Sequence, residues 1–276
     1  MMKLAWLTDI HLNFLDNSQR MAFYQSLPHD KDAIVISGDI AEANSVAVIL
    51  EEMADYIKQP IYFVLGNHDY YGNRVAAVRK FITALSERHP LLSWLPACEF
   101  VILSNDTILV GQDGWADGRY GNYQQSPVEL NDSHLIADLF QEKILGKNQL
   151  RLKMQTLADE DAQRLHQALI HAIAKQPKNI IILTHVPPFK ETTRYLGQIS
   201  SDDYLPFFGS KATGDVIQEI AKANPAINFL LLCGHTHDKC QYRAAKNLMV
   251  CAGQAEYYQP TLQAMIDTEN LAGYFN

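Results

Sequence analysis

The chain has ten histidines in 276 residues, and five of them fall inside or form short polar clusters. The clusters are Asp9-Ile10-His11, Gly38-Asp39, Gly66-Asn67-His68-Asp69, His185 and Gly234-His235-Thr236-His237. Imidazole and carboxylate together suit Zn, Mn or Fe, whereas Mg and Ca prefer all-oxygen cages. A carboxylate can bridge two cations through its two oxygens, and an asparagine carbonyl adds a neutral ligand. His235 and His237 are two residues apart, so on an extended segment they lie on one side and can meet neighbouring ions. Glycines at 38, 66 and 234 suit tight turns in which backbone approaches an ion with no Cβ in the way. Two divalent ions roughly 3.5–4 Å apart lower the pKa of a shared water enough to make hydroxide near neutral pH. They also act as Lewis acids on a bound oxygen, and a nearby histidine can serve as general acid.

Such clusters act together only if the elements carrying them end in one place. Each follows a short apolar run that reads as a strand: Lys3–Thr8, Ala33–Ser37, Ile61–Leu65, Asn179–Thr184 and Asn228–Cys233. Further strands are expected at Phe100–Ser104, Thr107–Gly111, Leu248–Cys251 and Thr261–Ile266, the first two forming a hairpin around Asn105-Asp106. Helices are expected at Ser45–Lys58, Asn73–Arg88 and Ala158–Lys175, where apolar residues such as Val75, Val78, Ile82 and Leu85 recur on one face. Strands alternating with helices make an α/β architecture, in which ligands bind beyond the carboxyl ends of the strands. No repeat, low-complexity tract or Pro/Gly/Ser-rich linker interrupts the chain, so residues 1–276 read as one domain.

Taken singly, each cluster is ordinary: an aspartate or histidine after a strand often caps the next helix, and Gly-Asp is common turn chemistry. Five in order, each at a strand end, are not. The remainder of the composition narrows the partners. Lys and Arg number 23 against 31 Asp and Glu, a net charge of -8, which argues against nucleic-acid or membrane-surface binding through basic patches. No apolar run reaches transmembrane length, and the N-terminal segment turns polar too early for a secretory signal. Cys98, Cys233, Cys240 and Cys251 show no paired spacing and read as reduced thiols, which makes the cytoplasm the expected compartment.

The ordered set resembles the calcineurin-like metallophosphoesterases, whose pattern is DxH, GD, GNH(D/E), a lone H and GHxH. Every element is present, between residues 9 and 237. The resemblance implies a four-layer α/β/β/α sandwich with mixed sheets and two divalent transition-metal ions (Mn, Fe or Zn) at the strand C-terminal rim. It implies that Asp9, His11, Asp39 and His237 hold one ion, and that Asp39, Asn67, His185 and His235 hold the other, with Asp39 bridging. By the same resemblance His68 is no ligand but contacts the phosphate or protonates the leaving group, and Asp69 orients its ring. The implied activity is hydrolysis of a phosphate ester, monoester or diester, in a phosphorylated small molecule, nucleotide or protein. Retention of His11 and of both histidines in the last cluster leans slightly toward diesters.

Two irregular segments, 112–127 and 187–213, are candidates for the walls of a substrate pocket. Trp115, Arg119, Tyr120 and Tyr123 in the first, and Lys190, Arg194 and Lys211 in the second, could meet substrate; Arg119 and Lys211 are the cations singled out. Thr8, Thr184 and Thr236 flank the expected ligands and are candidates to hydrogen-bond them. His29, His89, His134, His166 and His171 lie outside the clusters and read as structural or exposed. Two rival readings are a catalytically weak metal-binding scaffold of the same fold, which has no need of the full ligand set plus His68, and a nuclease, which the acidic balance disfavours.

Overall fold

The computed structural model describes residues 2–275. Its apolar runs form two mixed sheets. In the first, β1 (Lys3–Leu7), β2 (Ala33–Ser37), β3 (Ile61–Val64) and β4 (Leu92–Trp94) are parallel, and β13 (Ala264–Asp267) joins β1 antiparallel. In the second the order is β11 (Cys240–Ala245), β12 (Leu248–Ala252), β10 (Asn228–Cys233), β7 (Asn179–Leu183), β6 (Thr107–Gly111) and β5 (Val101–Ile102). Its four inner strands are parallel and its two edges antiparallel. A two-residue ribbon, β8 (Arg194–Tyr195) with β9 (Gln198–Ile199), stands apart.

Alternation along the strands shows why there are four layers. Leu4 and Trp6 of β1 pack with Ile181 and Leu183 of β7 and Leu230 and Leu232 of β10 in the core between the sheets. Ala5 and Leu7 face the opposite way, toward α1 (Asn17–Ser26), α2 (Val46–Ile57) and α3 (Val75–Arg88). Ile180 and Ile182, with Phe229 and Leu231, face α6 (Lys147–Ile173) and α8 (Lys211–Ala223). Strands buried on both faces need apolar side chains at every position, which is why they read as continuous runs and not as alternating ones. The expected α/β/β/α sandwich is the observed fold.

Several elements differ from expectation. β4 and β11 lie outside the expected strands, α6 starts eleven residues before the helix expected at Ala158, and α8 begins inside the segment 187–213, expected to be irregular. That segment also holds α7 (Leu205–Phe208). Two further helices, α4 (Asp132–Leu135) and α5 (Ala137–Leu145), lead into α6 through Gly146, whose φ of 128° falls in a region L-residues avoid. All four cysteines are free thiols, and no helix among the described residues is long and apolar enough to cross a membrane.

Candidate metal centre

β1, β2 and β3 on one sheet and β7 and β10 on the other end side by side, so the loops after them converge. Backbone bonds tie these loops together: Asp9 N–H donates to the Gly38 carbonyl (3.0 Å), His11 N–H to the Asp39 carbonyl (3.0 Å) and Gly234 N–H to the His185 carbonyl (2.9 Å). Asp9, His11, Asp39, His235 and His237 all adopt positive φ, between 41° and 70°. For residues with a Cβ this costs of order 1–2 kcal/mol each, and such strain collects at functional sites. Gly66 and Gly234 could carry no side chain, because a Cβ would run into the carboxylates of Asp39 and Asp9 respectively.

Two half-sites result. In one, a donor atom from each of Asp9, His11, Asp39 and His237 lies within 4.8 Å of all the others. The Nε2 atoms of His11 and His237 are 3.3 Å apart, and His237 Nε2 is 3.3 Å from Asp9 Oδ1. In the other, Asn67 Oδ1 lies 3.0 Å from both His185 Nε2 and His235 Nδ1. The far ring nitrogens fix the tautomers: His185 Nδ1 donates to the Ser37 carbonyl (2.9 Å) and His235 Nε2 to the Phe207 carbonyl (3.0 Å). Once the rings are neutral, as ligation requires, the two nitrogens facing Asn67 Oδ1 present lone pairs, so three donor atoms meet at one point suited to a cation; without one, His185 keeps its second proton there. Asp39 joins the half-sites, with Oδ1 3.4 Å from His185 Nε2 and Oδ2 3.8 Å from His11 Nε2.

The local field has the same sense. Burial opposes ionisation of Asp39, but His185, His68 and His11 around it hold its carboxyl well below the usual range. Burial pulls His185 down, yet Asp39, Asp9 and the Ser37 carbonyl hold it up at about 10. Positive charge is favoured here, and the donor set fits two borderline divalent ions.

Of the residues expected from sequence, the seven ligand candidates are brought together, and His68 joins them. His68 N–H donates to Asp39 Oδ1 (2.9 Å), and its ring lines the cleft with its Nδ1 buried and without a partner among the described residues. Asp69 does not orient that ring. Its carboxylate accepts the backbone N–H groups of Ile40, Ala41 and Gly66, clamping the loop after β2 to the loop after β3, and burial with Asp39 nearby pushes it up to about 8. Thr8 donates to Asp9 Oδ2 (2.7 Å), whereas Thr184 contacts the Asp113 carbonyl and Thr236 Oγ1 is buried with no partner among the described residues.

Arg119 and Lys211 do not line the cleft. Arg119 is held by Asp117 and Asp159, and Lys211 by Asp215 one helical turn away. From the two irregular segments only Tyr195 and Phe208 reach the cleft, which has a volume of about 310 Å³; Tyr71 and Tyr257 supply the other rings. Asp132 was missed from sequence. Its Oδ1 accepts from Asn67 Nδ2 (2.8 Å) and from the Tyr71 hydroxyl (2.6 Å), turning the Asn67 carbonyl oxygen toward the two imidazoles.

Aspartates and histidines gathered where two packed mixed sheets end form a buried group able to bind metal. The family model for calcineurin-like phosphoesterases matches residues 2–239, and the chain belongs to that family. It is a phosphoesterase with a buried Asp/His group able to bind metal. Comparison with curated proteins gave no match. Solved structures with a similar fold include a phosphopantetheinyl hydrolase from Mycobacterium tuberculosis, 13% identical over 92% of this chain and 89% of the other, with TM-score 0.69. A dimetal phosphatase from Danio rerio is 13% identical over 92% and 87%, with TM-score 0.56. The protein TT1561 of Thermus thermophilus is 13% identical over 92% and 89%, with TM-score 0.52.

Proposed function

We propose that the chain hydrolyses phosphate esters of small molecules with two divalent transition-metal ions bridged by Asp39. Asp9, His11 and His237 would complete the first ion's ligands, and Asn67, His185 and His235 the second's. The observation that carries this reading is the single carboxylate of Asp39 placed between two half-sites whose other donors all face inward. Bound there, the ions supply Lewis-acid neutralisation of the phosphoryl oxygens and a water acidic enough to ionise near neutral pH. The protein's own groups do the rest. Ser37 and Phe207 hold the ligand imidazoles in their tautomers, Thr8 holds Asp9, and Asp132 holds the Asn67 amide. His68 faces the cleft and gives a proton to the leaving oxygen. The small cleft favours a compact phosphorylated substrate over a folded phosphoprotein.

The test is a panel of p-nitrophenyl phosphate, bis(p-nitrophenyl) phosphate, cyclic nucleotides and nucleoside diphosphates, assayed after exhaustive chelation and after reloading with Mn, Fe or Zn. Hydrolysis should vanish on chelation and return with at least one of these metals. Undiminished hydrolysis by metal-free protein would refute the proposal.

Asp132 provides a second check. Asp132→Ala should weaken one ion by about 10–100-fold, as removal of a group that orients a ligand typically does, while the other ion is retained. Competition against a chelator of known affinity reads both constants. Two unchanged constants would mean that the Asn67 carbonyl needs no such support.

A further inference from the structure

Beside the metal cleft lies a second, more enclosed cavity of about 280 Å³. Its wall is mostly apolar, built from Trp115, Tyr123, Leu139, Leu150, Met154 and Phe207. Leu130 and Asp132 line both spaces, and the neighbouring rings of Phe207 and Phe208 divide between them, Phe207 to the cavity and Phe208 to the cleft. Protein interiors are packed with few voids larger than a water molecule, which needs only about 10–15 Å³ of probe-occupied volume. A space this size with apolar walls is therefore a built feature, and each of the two spaces alone is at the small end of ligand pockets, roughly 300–1,000 Å³.

We propose that this cavity receives an apolar chain carried by the phosphate ester, so that the substrate class is a single-chain amphiphilic phosphoester. The inference rests on the phosphoesterase reading of the cleft and adds which ester it takes. Charge sets the direction of binding. Glu129 and Asp132 stand in the cavity wall, and its two cations are already engaged. Lys143 pairs with Glu129, and Lys147 donates to the carbonyls of Gln124 and Ser126. A phosphate is thus excluded from the cavity and drawn to the metal cleft, leaving the cavity for the chain. Trp115 is only 4% exposed and its indole N–H has no partner among the described residues. A buried donor left unpaired is costly, and a carbonyl or ether oxygen along the chain would satisfy it. The walls come from the segment 112–127, from α5 and α6 and from α7, which gives the long helical insertion between β6 and β7 a role in selecting substrate.

The experiment is a chain-length series, ethyl to octyl, of n-alkyl phosphates and of methyl n-alkyl phosphate diesters, with metal-loaded protein. The two nitrophenyl esters report on the metal cleft itself. kcat/KM should rise by about 2–4-fold per added methylene over several members of one series, as expected for moving methylenes out of water. Val128→Trp, which fills the cavity from a partly exposed loop position, should flatten the slope and leave the ethyl member unchanged. Ala116→Phe fills it from another wall and serves if the first variant does not fold. Nitrophenyl turnover with no chain-length dependence overturns the inference and leaves the phosphoesterase reading standing. So does a slope that survives filling the cavity. Metal-loaded protein inert toward every ester overturns both.

Discussion

His68→Ala is expected to lower kcat by about 10²–10⁴ on esters of poor leaving groups while metal content and fold stay at wild-type values. The ring lines the cleft, 15% exposed at its side chain, with Nε2 4.0 Å from Asp39 Oδ2, a position beside the proposed ligands. It is held by packing: its centroid lies 4.3 Å from the Tyr71 ring and 4.6 Å from the His11 ring. Asp69 contributes nothing directly to the ring, so the anchor is the backbone bond from His68 to Asp39. Because the proposed role is protonation of the departing oxygen, the loss should shrink for nitrophenyl esters, which leave without help. Elemental analysis beside kinetics on good and poor leaving groups separates the possibilities. Loss of an ion would make His68 a ligand, and full activity on a poor leaving group would move the acid elsewhere.

The second large effect concerns stability. Arg79→Ala should destabilise the fold by about 3–5 kcal/mol, the usual result of breaking a buried charge cluster from one side. Arg79, 12% exposed at its side chain, places Nη2 2.8 Å from both oxygens of Asp161 and 3.6 Å from Asp113 Oδ2, and both carboxylates are buried. Burial already pushes Asp113 upward, and Arg79 is the cation that offsets it. Asp113 also accepts from Leu65 N–H, Trp94 Nε1 and the Tyr70 hydroxyl, and its carbonyl accepts His185 N–H. The cluster therefore underlies the metal cleft as well as the core. Denaturant midpoints should show the loss in Arg79→Ala and partial recovery in the double variant Arg79→Met with Asp161→Leu. A change below about 1 kcal/mol in the single variant would mean that solvent already screens the cluster.

The proposed ligands were legible because each stands directly after an apolar run long enough to be a strand, and strand ends in such sheets meet at one rim. Their strained backbone was not. Nothing local announces that Asp9, His11, Asp39, His235 and His237 turn left-handed, although Asp and His tolerate that region better than most residues. Asp132 was invisible for another reason: it begins a four-residue helix 65 positions from Asn67, and only the fold brings them together. Helix α1 lacked a clear apolar stripe, yet the reciprocal cap between Asp16 and Gln19 was a readable start signal. β11 is a half-exposed edge strand and β4 has three residues, so neither carries the continuous run that marks the inner strands. The loop cations Arg119 and Lys211 do not line the cleft, and charge alone does not say where a side chain is already paired. Arg119 and Lys211 both have carboxylates at hand nearby.

The central claim is a pair of metal ions sharing Asp39, and metal content per chain tests it most directly. Protein stripped of metal, reloaded separately with Mn, Fe and Zn and freed of excess should carry two ions per chain with at least one of these metals by elemental analysis. Asp39→Asn, which removes the bridging charge while keeping the side chain's shape, should drop that number and abolish hydrolysis with it. A reproducible ceiling of one ion per chain with Asp39 intact would contradict the account.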